Sequence, residues 1–179
     1  MNDNASFKAA DVIGFFYLAD SDSYVSKSLL SELSISMNEL KTSACKNTLA
    51  QYNIILADTT EFAPGLPEGT ILQSEPFSSV TIKPHHTYML TNDLPESGAE
   101  LILIPPVLET LAKMAGGDYY IVPASTAGVL ITCKDDTSAV QLKKMLQLEN
   151  REKTQADQYL SDNIYLYDSR DKKLVMVQE

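Results

Sequence analysis

The chain has 179 residues, 44% hydrophobic and 21% charged, a composition that can bury a full core and excludes wholesale disorder. Twenty-four acidic against 14 basic residues give a net charge of −10, a field that repels a phosphate backbone and argues against nucleic acid as a partner. The start, MNDNASFKAAD, lacks a basic flank before an apolar run, the longest apolar stretches are too short for a bilayer, and Cys45 and Cys133 lack CxxC spacing. These features lead to the expectation of one cytoplasmic domain over residues 1–179, with no membrane contact and no cofactor.

Residues 12–19, VIGFFYLA, are apolar and rich in aromatic and β-branched types, which predicts a strand buried on both faces near a sheet centre. Asp20 to Ser23 then read as a turn, and YVSKSLLSELSIS fits either a strand running into a short helix or a helix throughout. Ser36 and Glu39 have capping-box spacing, so a helix is expected there, its apolar positions Leu40, Ala44, Cys45, Leu49 and Tyr52 turned to a sheet. YNIILAD follows as a strand.

From about 58 to 86 the chain holds four of its eight prolines and no sustained period, which predicts a long loop or flap with short edge strands at ILQSE and SVTIK. HTYMLTN resumes as a strand, Ala99 to Ile104 as a short helical piece, and Pro105-Pro106 suit only the start of the next helix. Gly116 or Gly117 should end that helix in a left-handed cap. DYYIVP and GVLITC form a hairpin across ASTA, a helix capped at Asp135-Asp136-Thr137 reaches about Arg151 and packs through Ala139, Leu142, Met145 and Leu146, and NIYLYD with KKLVMV closes the chain as a second hairpin. The fold class is α+β: a mixed, largely antiparallel sheet with helices mainly on one side.

The order YMLTN, GAELILIPPVLETLAKMAGGDYYIVPAS and YLSDNIYLYDSRDKKL resembles a bacterial family of unknown function found mostly in anaerobic gut Firmicutes. That family shows a Tyr-Val-Leu-Thr-Asn strand, a Gly-Gly-Asp-Phe/Tyr-Tyr-Ile-Leu-Pro-Ser-Ser strand and a late Leu-Ser-Asp-x-Val-Tyr-x-Tyr-Asp hairpin. VIGFFYLA and MNELKTSACKNT extend the likeness upstream, so it spans most of the chain outside roughly 58–86. The resemblance implies the shared C-terminal domain of longer members, and no activity or cofactor. Where relatives read Pro-Ser-Ser-x-His-Glu, this chain reads Pro123-Ala124-Ser125-Thr126-Ala127-Gly128, so chemistry needing that His-Glu pair is missing.

Ser125 and Thr126 at a strand end could act as nucleophiles with His85 or His86 as base, but no Gly-x-Ser-x-Gly elbow accompanies them, and hydroxyls at bends ordinarily satisfy local backbone amides. Adjacent strand positions face opposite ways, so His85 and His86 do not make a metal site. Asp118, Asp162 and Asp168 at strand ends read as turn formers more readily than as an acid–base pair. Tyr119, Tyr120, Tyr165 and Tyr167 lie in strands; outward-facing, they would make a protein-binding surface, whereas core packing is the expected role for a face opposite Ile164 and Leu166, since one of the two faces must be inside. The leading expectation is a non-enzymatic domain that binds a protein or small ligand. A hydrolase using Ser125 or Thr126 with His85 or His86 is the first alternative, and a domain that self-associates through its sheet edge is the second.

Overall fold

A computed structural model describes residues 3–59, 70–71, 81–94 and 97–178, which fall into two compact units, Met1–Gln51 and Tyr52–Glu179. The N-terminal unit has a core of its own. Strands β1 (Ser6–Ala9) and β2 (Val12–Phe15) pair antiparallel around a tight turn in which Ala10 takes φ 54°, and β3 (Tyr17–Leu18) pairs with β4 (Ser23–Tyr24). Helix α1 (Lys27–Glu32) starts at Ser26, whose hydroxyl accepts the Leu29 amide at 3.0 Å.

Helix α2 (Met37–Gln51) opens on the expected capping box: the Ser36 amide donates to Glu39 at 2.8 Å, and the Glu39 amide donates back to the Ser36 hydroxyl at 3.3 Å. Ala5, Phe16, Val25 and Leu30 form the core here, with Phe7, Leu40 and Ala44 packed against them.

The strand expected at the centre of the main sheet lies in this small unit instead. Gly14 and Phe16 are buried, whereas Ile13, Phe15 and Tyr17 are 47–56% exposed. A core this small covers one face of the strand only, so an apolar run that looked buried on both sides alternates in and out.

In the C-terminal unit, β5 (Ile54–Asp58), β6 (Thr70–Ile71), β7 (Thr87–Asn92), β8 (Tyr119–Ser125), β9 (Gly128–Cys133), β10 (Tyr165–Asp168) and β11 (Lys173–Met176) form one sheet in the order β11-β10-β8-β9-β7-β5-β6. Every pairing among the described strands is antiparallel. β6 falls in the stretch expected to be a loop with edge strands, most of which lies outside the described residues; of SVTIK, Thr81 to Lys83 are described and form no strand, the Ile82 amide donating instead to the Met114 carbonyl at 2.9 Å.

A five-residue 3-10 turn (Ala99–Leu103) leads into α3 (Pro105–Ala115), which begins at the double proline and ends at Gly116 in the left-handed conformation, φ 72°. The Tyr119 hydroxyl donates to the Leu108 carbonyl at 3.1 Å and so places α3 over the sheet face that carries Tyr119 and Ile121. Helix α4 (Ala139–Glu152) covers the other face, where Leu142 and Leu146 meet Tyr120, Val122, Leu130 and Ile164. The α+β class holds, but the helices divide between the two faces, because consecutive β8 side chains are apolar on both sides and each side needs a cover. Two details of α4 also differ from expectation: Ser138 stands at the N-cap position, and Met145 is 67% exposed, one step off the buried line of Leu142 and Leu146.

Candidate functional site

The hydroxyls and histidines of the hydrolase reading sit at opposite ends of β9. Ser125 pairs with Gly128, while Thr87, next to His86, pairs with Thr132. Four residues of strand at about 3.3 Å each put about 13 Å of backbone between the two pairings, well beyond the ~3 Å that proton transfer needs. The bend at Ser125 is a structural junction: the Thr126 amide donates to Gln158 O at 3.1 Å, and its carbonyl accepts the Ala99 amide at 3.1 Å.

At the histidine end, residues far apart in the chain assemble. His86 Nδ1 lies 2.6 Å from Asp58 Oδ2, joining the end of β5 to the approach to β7, and the ring stacks on Tyr88 at 6.3 Å between centroids. Burial, followed by the Asp58 charge among lesser causes, raises the Tyr88 phenol, although the Lys83 amide donated to its oxygen at 3.1 Å works the other way. His85, at φ 62°, turns its side chain outward (81% exposed) and donates its backbone amide to Asp136 at 2.6 Å.

Cys133 stands beside Asp136, and burial, reinforced by that carboxylate, raises its thiol, so it is held protonated rather than activated. The cluster offers proton donors and acceptors without an ionised nucleophile. Among the described residues no group of three or more His, Cys, Asp or Glu could hold a metal ion. Asp58 and His86 are 28 positions apart, and only the antiparallel register that sets Asp58 opposite Tyr88 reveals them as neighbours.

The carboxylate candidates turn out to be structural. Asp118 accepts the amide and hydroxyl of Ser169 at 3.0 and 2.8 Å and an ion pair from Lys134 at 3.1 Å, tying the start of β8 to the end of β9 and to the final hairpin. The two Ser169 hydrogen bonds, then Lys134, lower its pKa to about 2. A folded-state value below that of the unfolded chain means that Asp118 stabilises the fold above about pH 4 and loses that contribution as the pH falls towards 2.

The side chain is 27% exposed, so screening leaves roughly 1 kcal/mol. Asp118→Asn should therefore lower the urea midpoint at pH 7 and flatten the acid limb of a stability profile between pH 4 and 2; an unchanged limb would remove this role. Asp162 accepts from Asn150 at 2.9 Å, and Asp168 caps its own turn by accepting the Arg170 and Asp171 amides at 2.9 Å.

Of the tyrosines considered for binding, Tyr119 and Tyr165 are fully buried, Tyr167 is 2% exposed, and Tyr120 is half-buried against Leu146. Tyr165 and Tyr167 do share a face, as their spacing required, but it is the face under α3, where the Tyr119 and Tyr167 rings meet at 5.3 Å. The core role accounts for three of the four, and they supply no surface.

Exposed rings gather instead in the N-terminal unit. Tyr24 lies edge-to-face with Phe15 at 5.9 Å and with Tyr17 at 5.8 Å, and the Tyr17 hydroxyl donates to Asp22. Phe15, Tyr17 and Tyr24 are 47%, 54% and 56% exposed, and Ile13, at 56%, continues the same face. No alternation of apolar and polar types in the sequence marks Ile13, Phe15 and Tyr17 as exposed, because Gly14 and Phe16 between them are not polar either. A polar depression of about 330 Å³ lies elsewhere, lined by Gln147, Asn150, Arg151, Tyr159 and Asp162, and its Asn150 amide is already bonded to Ser161 O and Asp162.

Residues 18–169 match the model of DUF5688, described as a family of unknown function. The chain belongs to the DUF5688 family. No curated protein and no solved structure matches it. The DUF5688 match takes in the C-terminal sheet apart from β11, together with Leu18, Tyr24 and α2, while Ile13, Phe15 and Tyr17 precede it, so the aromatic face straddles the start of the matched stretch.

Proposed function

We propose that this DUF5688 member is a non-enzymatic, cytoplasmic bacterial domain that binds another protein, and that the exposed aromatic face of its N-terminal unit makes the contact. The observation that supports this is the cluster of Phe15, Tyr17 and Tyr24 from β2, β3 and β4, with Ile13 beside it, all about half exposed, while the intervening Gly14 and Phe16 are buried and Phe16 joins the core. Aromatic side chains of this kind supply large contact area with few rotatable bonds and dominate the energetics of protein interfaces. A flat run of rings fits a protein surface better than a small ligand, which calls for a concave site.

The unpaired state of Cys45 and Cys133 is in keeping with a reducing compartment. Among the described residues no helix is long and apolar enough to cross a membrane. The test compares proteins captured from the native host by the unaltered chain, by a Phe15→Ser/Tyr24→Ser double variant, and by Val140→Ser, which removes an exposed apolar side chain of α4. A partner lost only with the double variant is the expected result. Capture that survives in the double variant would sink the proposal.

A further inference from the structure

Three exposed rings and an acidic turn occur together at one place in the N-terminal unit. Tyr24 stands between Phe15 and Tyr17 at interplanar angles of 64° and 70°, so the three ring planes do not stack flat on one another and their faces are left partly open to solvent. The face of an aromatic ring carries negative quadrupole density and attracts a cation within about 6 Å of its centroid. Asp22, held in the left-handed conformation at φ 48°, brings its carboxylate to the Tyr17 hydroxyl.

Asp20 is exposed in the same turn, and Asp11 precedes β2. Between residues 9 and 26 the sequence has these three aspartates and neither lysine nor arginine. Lys8 stands opposite Ile13 on the same face, at the end away from Tyr17, and Lys27 follows Tyr24 by three residues at the start of α1.

We propose that Phe15, Tyr17 and Tyr24, with Asp22 and Asp20 at their rim, receive an arginine side chain from a basic segment of the partner protein. This rests on the binding reading above and names the chemistry of the partner. Arginine is preferred to lysine because its planar, weakly hydrated guanidinium can lie against a ring while its N–H fork reaches a carboxylate, whereas a compact ammonium keeps more of its water. The net charge of −10 adds a long-range attraction for a basic partner that salt weakens. The local site accounts for the part of binding that survives salt.

The test uses a dye-labelled, end-blocked peptide of alternating glycine and arginine, with lysine and glutamate versions of the same length, titrated against the full chain by fluorescence anisotropy at about 0.15 M salt. The arginine peptide should bind several-fold more tightly than the lysine peptide, and the glutamate peptide should not bind. Tyr24→Leu keeps apolar volume but removes a ring face, and should weaken the arginine peptide by about 5-fold. Asp22→Asn should weaken both basic peptides; far-ultraviolet circular dichroism confirms that each variant is folded.

Equal affinity for arginine and lysine peptides, or arginine binding unmoved by both substitutions, would overturn the proposal by reducing the attraction to the overall acidic field. If the host partner is lost with Phe15→Ser/Tyr24→Ser yet the arginine peptide fails to bind, the binding reading stands and the cationic one falls. If neither signal appears, both fall.

Discussion

Tyr165→Ala should lower the unfolding free energy by about 3–5 kcal/mol, the range for deleting a large buried aromatic side chain. Tyr165 has no exposed surface, sits on the second strand from the sheet edge opposite Ile121, and shares its face with Tyr119 and Tyr167 beneath α3. The cavity cannot collapse readily, because β8 and β11 pin β10 from both sides.

Tyr24→Ala, by contrast, removes a ring that is 56% exposed, and should change stability by no more than about 1 kcal/mol. Urea denaturation of the two variants separates core tyrosines from surface ones. If Tyr165→Ala were as mild as Tyr24→Ala, the assignment of the β10 tyrosines to the core would fail.

Gly98→Ala is the second substitution with a large expected cost, at least about 2 kcal/mol. Gly98 has φ 146°, and a Cβ built there would lie 2.5 Å from the Ala127 carbonyl oxygen and 2.7 Å from the Thr91 hydroxyl. The first of these is backbone and cannot rotate away. The same carbonyl accepts the Thr91 hydroxyl at 2.7 Å, and the Gly98 amide donates to Glu100 at 2.7 Å, so a shift of the loop breaks bonds as well as contacts.

Gly116 is the natural control. It too has positive φ, but nothing lies within 4 Å of a Cβ built there, so Gly116→Ala should cost only the left-handed penalty of about 1–2 kcal/mol. Thermal or urea unfolding of both variants checks the difference, and equal losses would show that conformation rather than close approach sets the cost at Gly98.

Much of the C-terminal unit was legible in the sequence because its signals are local. The double proline marks where α3 begins, Gly116 where it ends, and the short links ASTA and SRDK impose antiparallel hairpins. Ser36 and Glu39 announced α2 in the same way. What could not be read depends on which elements come together. VIGFFYLA carries the composition of a central strand, and only the small size of the core it joins leaves Phe15 and Tyr17 in solvent.

Asp58 and His86 meet through a register that no spacing encodes, and the same register carries Ser125 away from the histidines. The tyrosine pair of β10 was placed on one face correctly, but which face α3 covers is a property of the α3 connection and not of the strand.

The position of β11 at the end of the strand order bears on whether copies of this chain could extend one another's sheets. An unpaired strand edge is a template for intermolecular ladders and, in the extreme, for fibrils. β11 is four residues long, and Lys172 and Lys173 stand at its entry, the former drawn to Glu109 at 2.8 Å. So short an edge gives an incoming strand few ladder bonds, and in a parallel, in-register pair of two copies its entry lysines would stand against each other. The final hairpin is thus a blunt edge on the β11 side of the sheet, one that offers little for templated growth.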